Sequence, residues 1–355
     1  HYDRRRQRQM CIRDRLADII VEGEPETDSW AVDPRRYTNH VDLEYTKAKA
    51  IETYSHEYAM HFPQIQWPAG RPAKVSPIYD SLLKAGAVMG SYGGWERADW
   101  FTNNESLKKP ANSYDRQHWF DDVSKECNHV AEHCGVIDLT GFSRFEISGE
   151  GTSQWLETLI TGRLPKIGKV GLIYFSSHKG KVLTEMTATR ISEDHVWLLT
   201  GAGAYWHDRD WLNFNLPESS NIKIVDTTHD LGTMLLTGPK SDLLIAKLTD
   251  EKTDNESFPW FSHKSINLCG EDTRVLKVSY AGEKGFEIHV HNNSMKKIYD
   301  ELVQHGENFN LIHFGMLALD SMRLEKNYRS WKSDLTSDYT ICLLYTSDAA
   351  DDGHS

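Results

Sequence analysis

Tyr280 and Glu287 stand on either side of the run Ala281-Gly282-Glu283-Lys284-Gly285-Phe286, and a phenol beside a carboxylate can line a site for a small ligand. The alternation around them predicts two strands joined by a tight turn. Leu276, Val278 and Tyr280 share one face of the first, over 274–280. In the second, Phe286, Ile288 and Val290 oppose Glu287, His289 and His291. Gly282 and Gly285 would supply the backbone angles of the turn. These residues alone leave a plain hairpin equally open.

Three further groupings have the residue types for chemistry but not the geometry. Cys127, His129, His133 and Cys134 are all zinc-ligand types. On the helix expected over 119–134, however, both cysteines fall in an apolar stripe with Trp119, Phe120, Val123, Val130 and Ala131. The histidines point well away from that stripe, so one tetrahedral site cannot collect all four. His56 and His61 are five apart, and a zinc-protease helix needs a spacing of four to keep both on one face. Gly201-Ala202-Gly203-Ala204-Tyr205-Trp206 follows a strand as a dinucleotide loop does. Trp206 there replaces the third small residue that close helix packing requires. No metal site and no nicotinamide site is expected.

The elements that must position the candidates form one mixed α/β unit from Ser76 onward. Strands are expected at 144–147, 182–190, 196–200, 222–226 and 232–237. Helices at 153–160, 204–214, 240–248, 295–303 and 314–324 are interleaved with them. Upstream, 15–73 carry an amphipathic stretch over 43–58 and read as the end of a preceding domain. Pro63, Pro68, Pro72 and Pro77 mark the boundary, since proline interrupts helix and ladder alike. The chain opens on His1 with six Arg among its first fifteen residues. Both ends, 1–14 and 341–355, are expected to be non-native tails with no part in the fold.

Composition narrows the function classes. A length of 355 residues allows two domains and a sizeable core. No apolar run approaches the roughly 20 residues needed to span a bilayer, and mean hydropathy is −0.57, so no membrane partner is expected. A net charge of −12 disfavours nucleic acid, whose phosphates call for excess Lys and Arg. With Cys11 and Cys342 in the tails, Cys127, Cys134 and Cys269 form an odd, irregular set that suggests no disulfide framework. A reducing compartment is expected, bacterial cytoplasm or mitochondrial matrix.

Tyr280-x-Gly282-Glu283-x-Gly285-Phe286-Glu287-Ile288 occurs with Cys134-Gly135-Val136-Ile137-Asp138-Leu139-Thr140 upstream and Met322-Arg323-Leu324-Glu325-Lys326 downstream. Together these resemble the folate-binding aminomethyltransferase fold of the glycine-cleavage T protein, an α+β fold. Ser76-Pro77-Ile78-Tyr79-Asp80, Gly94-Trp95-Glu96-Arg97-Ala98-Asp99-Trp100-Phe101 and Arg329-Ser330-Trp331-Lys332-Ser333-Asp334 are similar to the dimethylglycine and sarcosine dehydrogenases. In that family a flavin domain precedes the folate domain. The resemblance implies that 15–73 are the C-terminal part of an FAD-dependent oxidoreductase central domain. It implies that 76–340 are the folate domain, truncated at its C-terminus.

By the same resemblance the cofactor of this chain is tetrahydrofolate, with FAD only in the full-length parent. Glu287 would accept the adjacent amino and ring N–H donors of the pterin, Tyr280 would line the pocket, and Arg323 would lie near the folate. Arg323 could instead be a surface helix charge paired with Glu325 or Asp320. Glu185, in Lys179-Gly180-Lys181-Val182-Leu183-Thr184-Glu185-Met186-Thr187, stands where the T protein has Asp and the dehydrogenases have Glu; it would be the catalytic proton-transfer group. An exposed strand Glu is the alternative. The implied reaction oxidises an N-methylated glycine or related amine at the flavin and traps the one-carbon unit as 5,10-methylenetetrahydrofolate. The partners are then small molecules and the missing N-terminal flavin domain. Competing readings are a non-catalytic regulator like the regulatory subunit of pyruvate dehydrogenase phosphatase, and a stand-alone aminomethyltransferase working on a lipoyl protein.

Overall fold

Period-two alternation along most strands gives each of two sheets an apolar face that helices must cover. The computed structural model describes residues 13–14, 16–22, 33–37, 40–60, 62, 64–111 and 113–343. The tails expected to be non-native lie largely outside these residues, as do Cys11, His61 and Pro63.

In chain order the strands begin with a hairpin, β1 (Ala87–Tyr92) and β2 (Trp95–Phe101). Then come β3 (Cys134–Asp138), β4 (Ser143–Ser148), β5 (Ile160–Thr161), β6 (Val170–Ser176), β7 (Val182–Ser192) and β8 (His195–Thr200). The last six are β9 (Lys223–Asp226), β10 (Leu231–Thr237), β11 (His263–Leu268), β12 (Glu271–Leu276), β13 (Gly285–His291) and β14 (Leu311–His313). Helices among the described residues include α1 (Leu43–Ser55), α2 (Tyr79–Lys84), α3 (Phe120–Glu132), α4 (Thr152–Leu159), α5 (Tyr205–Phe214), α6 (Ser241–Ile245), α7 (Asn292–Gly306) and α8 (Met316–Glu325).

The first large sheet runs β11-β12-β13-β10-β3-β14, with β14 parallel to β3 and the other pairs antiparallel. The second, wholly antiparallel, runs β5-β6-β7-β8-β4-β9. On one face of the first sheet, Met234, Leu236, Phe286, Ile288 and Val290 pack with Ile298 and Leu302 of α7. In the second sheet Phe145, Ile147, Met186 and Leu198 pack with Leu156 of α4 and Leu212 of α5. The remaining face of the first sheet is divided. Ile137 and Leu235 meet Val123 and Val130 of α3 and Leu319 of α8. Leu276 meets Trp197, Leu199 and Val170 of the second sheet. A seam therefore runs where the helical cover ends and the second sheet begins.

The helix expected over 119–134 stops at Glu132, and Cys134 opens β3. Cys134 fits the helical stripe by period, but the apolar run it begins is buried on both faces and hydrogen-bonded on both edges, by β10 and by β14. Short apolar runs of this kind satisfy either period, and here the ladder decides. Gly135 reinforces the choice, because a Cβ there would lie 2.6 Å from Val130 and 2.7 Å from Phe314.

Among the described residues, none before Ile78 belongs to the four core clusters. In the upstream segment Leu43, Ile51, Tyr54, Tyr58 and Met60 are exposed, and its ties to the rest include the Arg71–Glu96 and Arg35–Asp210 ion pairs. Among the described residues no helix is long and apolar enough to cross a membrane.

Glu126 on α3 joins three elements. Its carboxylate accepts the backbone N–H of Phe101 at the end of β2 (2.7 Å) and of Gly315 at the start of α8 (2.9 Å). Burial pushes this carboxyl up to about 7, against the pull of those two donors. The folded state therefore penalises the ionised form, and this contribution lowers stability as pH rises from 4.5 through about 7. Glu126→Ala strands two buried N–H groups and is expected to cost about 2–3 kcal/mol, read from urea unfolding near pH 6. A loss below about 0.5 kcal/mol would show that the two N–H groups find other acceptors.

Candidate functional site

Register puts both acids on the divided layer between the sheets. On β13, Glu287 lies opposite Leu276 of β12 and Leu235 of β10, so it stands on the seam between the helical cover and the second sheet. On β7, Thr187 and Thr189 face Leu199 and Trp197 of β8. Glu185 shares their side by the period of two, so it looks from the second sheet toward the first.

The expected tight turn is not what joins the strands around Glu287. β12 ends at Leu276 and β13 starts at Gly285, leaving a loop over 277–284. Tyr280 is in that loop, not across a ladder from Glu287. Its hydroxyl donates to the Arg329 carbonyl (2.9 Å), and its ring stacks with Tyr328 at 6.2 Å. Gly282 does adopt positive φ (74°), and a Cβ there would strike Lys326 at 2.2 Å. Gly285 has no such angle; it is needed because a Cβ would come 2.8 Å from Ser279 and 3.0 Å from the Leu236 carbonyl. Alternation cannot report that the chain after Leu276 leaves the ladder to follow α8.

Glu287 keeps a side-chain exposure of 13%, and its close polar neighbour is His289 Nε2 at 3.4 Å. His289 is fully buried under Trp197, edge to face at 4.7 Å, and its Nδ1 meets Thr233 Oγ1 at 2.8 Å. Arg144 Nη2 donates to the same Thr233 oxygen at 2.5 Å, and Arg144 Nη1 to the Phe142 and Thr228 carbonyls. Burial lowers the Arg144 guanidinium to about 10, with Glu287 and Asp138 opposing that shift, so it remains charged at neutral pH. Arg274 spans the sheets, its guanidinium 4.3 Å from the Trp197 ring and 3.1 Å from Glu146.

Glu185 lies opposite Tyr174 of β6. Burial raises its carboxyl above the ordinary range, while a hydrogen bond from Tyr174 and the charge of Arg329 pull it partly back. Its Oε2 is buried without a hydrogen-bond partner. Tyr280 is electrostatically coupled to Glu185, Arg323 and Asp334, so these residues form one group. Arg323 is buried to 4% exposure rather than displayed on a helix surface. Nε donates to Asp320 (2.7 Å), and Nη1 donates to the Tyr328 carbonyl (2.9 Å) and to Asp334. Its donors hold the 328–334 loop, which carries Arg329. Glu287 has a different set of neighbours, those around His289.

An acid with a buried unsatisfied oxygen and a second, weakly engaged acid on the facing sheet suit a ligand rich in N–H donors. A reduced pteridine has that character, so the residues present fit tetrahydrofolate. A cavity of about 660 Å³ lies elsewhere, lined by Tyr45, Lys49, His56, Trp67 and Arg71, and a smaller one of about 190 Å³ adjoins Asp99 and His118. Neither includes the four candidates. In the larger one Lys49 and Arg71 already serve Glu52 and Glu96, which leaves little to recognise a ligand.

Among the described residues no group of three or more His, Cys, Asp or Glu could hold a metal ion. Cys127, Cys134 and Cys269 are free thiols. His56 caps α1 against Trp67, and Trp206 lies beneath Arg35 and Arg209 at 5.0 and 5.2 Å. Arg144, Thr233 and Arg274 escaped the reading of the sequence. Arg144 and Glu146 alternating with Phe145 and Ile147 was the available signal, but alternation does not say that the polar face is itself covered by a second sheet.

The model of the GCVT N-terminal domain matches residues 78–344, and that of the FAD dependent oxidoreductase central domain matches 22–76. The mitochondrial dimethylglycine dehydrogenase of Mus musculus is 31% identical over 325 residues, covering 91% of this chain and 37% of that protein. The mitochondrial sarcosine dehydrogenase of Homo sapiens is 27% identical over 370 residues, covering 91% of this chain and 40% of that protein. The chain thus spans less than half the length of these relatives. The crystal structure of glycine cleavage system aminomethyltransferase T from Bartonella henselae superposes with a TM-score of 0.62 at 23% identity, covering 75% of this chain and 66% of that one, and so shares the fold. The mixed two-sheet architecture and the extent of the match agree, and the chain belongs to the GCVT N-terminal domain family, with an FAD dependent oxidoreductase central-domain segment ahead of it.

Proposed function

We propose that residues 76–340 bind tetrahydrofolate on the seam between the two sheets and transfer to it a one-carbon unit from an N-methylated amine of dimethylglycine or sarcosine type. In this reading 15–73 connect the site to a flavin domain of a longer oxidoreductase, where FAD is held. The observation that carries the reading is the pair of acids on facing sheets, Glu185 with an orphaned buried oxygen and Glu287 with one weak partner. The names of the relatives support the amine class.

Tetrahydrofolate, when bound, supplies the nitrogens that take up the one-carbon unit. Glu287 holds adjacent N–H groups of the ring as a charge-assisted acceptor. Glu185, its carboxyl raised by burial, takes and returns a proton within the site. Tyr280 forms a wall fixed by its bond to the Arg329 carbonyl. Arg323 acts at one remove, by anchoring the loop that sets Arg329 beside Glu185.

Titration of the purified chain with tetrahydrofolate tests this. Saturable quenching of tryptophan fluorescence is expected, from a colourless protein. Absence of binding would overturn the folate reading, and a stoichiometric flavin spectrum would overturn the division of cofactors.

A further inference from the structure

Between Glu287 and the buried Arg144 lies a chain of contacts that the proposed chemistry does not use. Arg144 Nη2 donates to Thr233 Oγ1, whose other polar neighbour on that oxygen is His289 Nδ1. An arginine can only donate, so Thr233 accepts there; its own buried hydroxyl proton has Nδ1 as the acceptor beside it and would be stranded if Nδ1 donated too. Nδ1 is then the lone-pair nitrogen, and the ring proton is on Nε2. The other end of the ring agrees. Nε2 is buried with no full hydrogen bond, and Glu287 Oε2 stands 3.4 Å from it, where a second lone pair would be repelled.

We propose that His289 is a positioning residue: a neutral imidazole, fixed as the Nε2–H tautomer by Arg144 and Thr233, that holds the Glu287 carboxylate in place for the ligand. The inference rests on the folate reading for the ligand and on the geometry for the tautomer. Charged groups facing the ring are Glu287 on its own strand, Arg144 from β4 and Arg274 from β12. Burial lowers His289 to about 4, Glu287 opposing and the two arginines reinforcing, so the ring stays neutral over the pH range of binding. The unfolded chain takes up this proton near 6.5 and the folded one only near 4, so stability falls as pH drops through that window.

The test uses the full chain labelled with ¹⁵N-histidine, together with tetrahydrofolate titrations of His289→Leu, His289→Gln, Glu287→Gln and the His289→Leu/Glu287→Gln pair. The His289 resonances are expected to show a protonated Nε2 and a bare Nδ1 from pH 5 to 8. A protonated Nδ1, or titration near pH 6.5, overturns the tautomer and with it the proposal. His289→Leu should bind tetrahydrofolate roughly tenfold more weakly, and His289→Gln, which keeps an N–H near Nε2, should recover most of that. In the double variant the His289 effect should vanish, because it acts through Glu287. Additive losses would assign His289 a merely structural role. Unchanged binding by His289→Leu overturns the positioning role, whereas a parent chain that binds no tetrahydrofolate overturns the folate reading first and the role that depends on it.

Discussion

Glu185→Gln is expected to slow enzymatic one-carbon transfer to tetrahydrofolate by about 10²- to 10⁴-fold, the usual contribution of a positioned acid or base, while folate affinity stays within a few-fold. The amide is nearly isosteric and keeps a partner for Tyr174, but it cannot carry the proton. The rate is measured with formaldehyde and tetrahydrofolate supplied to the chain, after subtraction of their uncatalysed condensation. Burial places the Glu185 carboxyl above its ordinary 4.5, so the acidic limb of the rate profile should lie above that value in the parent and be absent in the variant. A variant that transfers as fast as the parent would remove Glu185 from the chemistry.

Glu287→Gln is expected to weaken tetrahydrofolate binding by about 1.5–3 kcal/mol, one to two decades in affinity, because an amide offers one acceptor oxygen in place of two charged ones. The rate at saturating folate should change little. These two variants therefore separate recognition from proton transfer. If Glu287→Gln binds normally and abolishes transfer, the roles are reversed and the acid on β13 is the catalytic group.

The sequence by itself determined the family and part of the elements; β1, β2, β3, β5, β6, β11, β14 and α2 were not legible in it. Alternation located β4, β7, β8 and β10 to within two residues, and the helical period located α4, α5, α7 and α8 to within about three. Both signals are local, set by which side chains along one segment must leave water. The ordered runs at Cys134–Thr140, around Glu287 and around Arg323 carried the resemblance, which the match over 78–344 bears out. The sequence could not decide where Cys134 belongs, since the end of an amphipathic helix and the start of a doubly buried strand are both apolar, and only pairing with β10 and β14 resolves them.

The same limit governs the site. A strand's polar face looks alike whether it meets solvent or another sheet, so the burial of Arg144, His289 and Glu185 was invisible until the second sheet closed over the first through Trp197. Arg323 likewise has the sequence of an exposed helix charge paired with Asp320, and the return of the chain over 328–334 adds the Tyr328 carbonyl and Asp334 as acceptors. Contacts between segments far apart in the chain set desolvation and hydrogen-bond pairing. Those two quantities decide which of the acids legible in the sequence has an unsatisfied oxygen to offer a ligand.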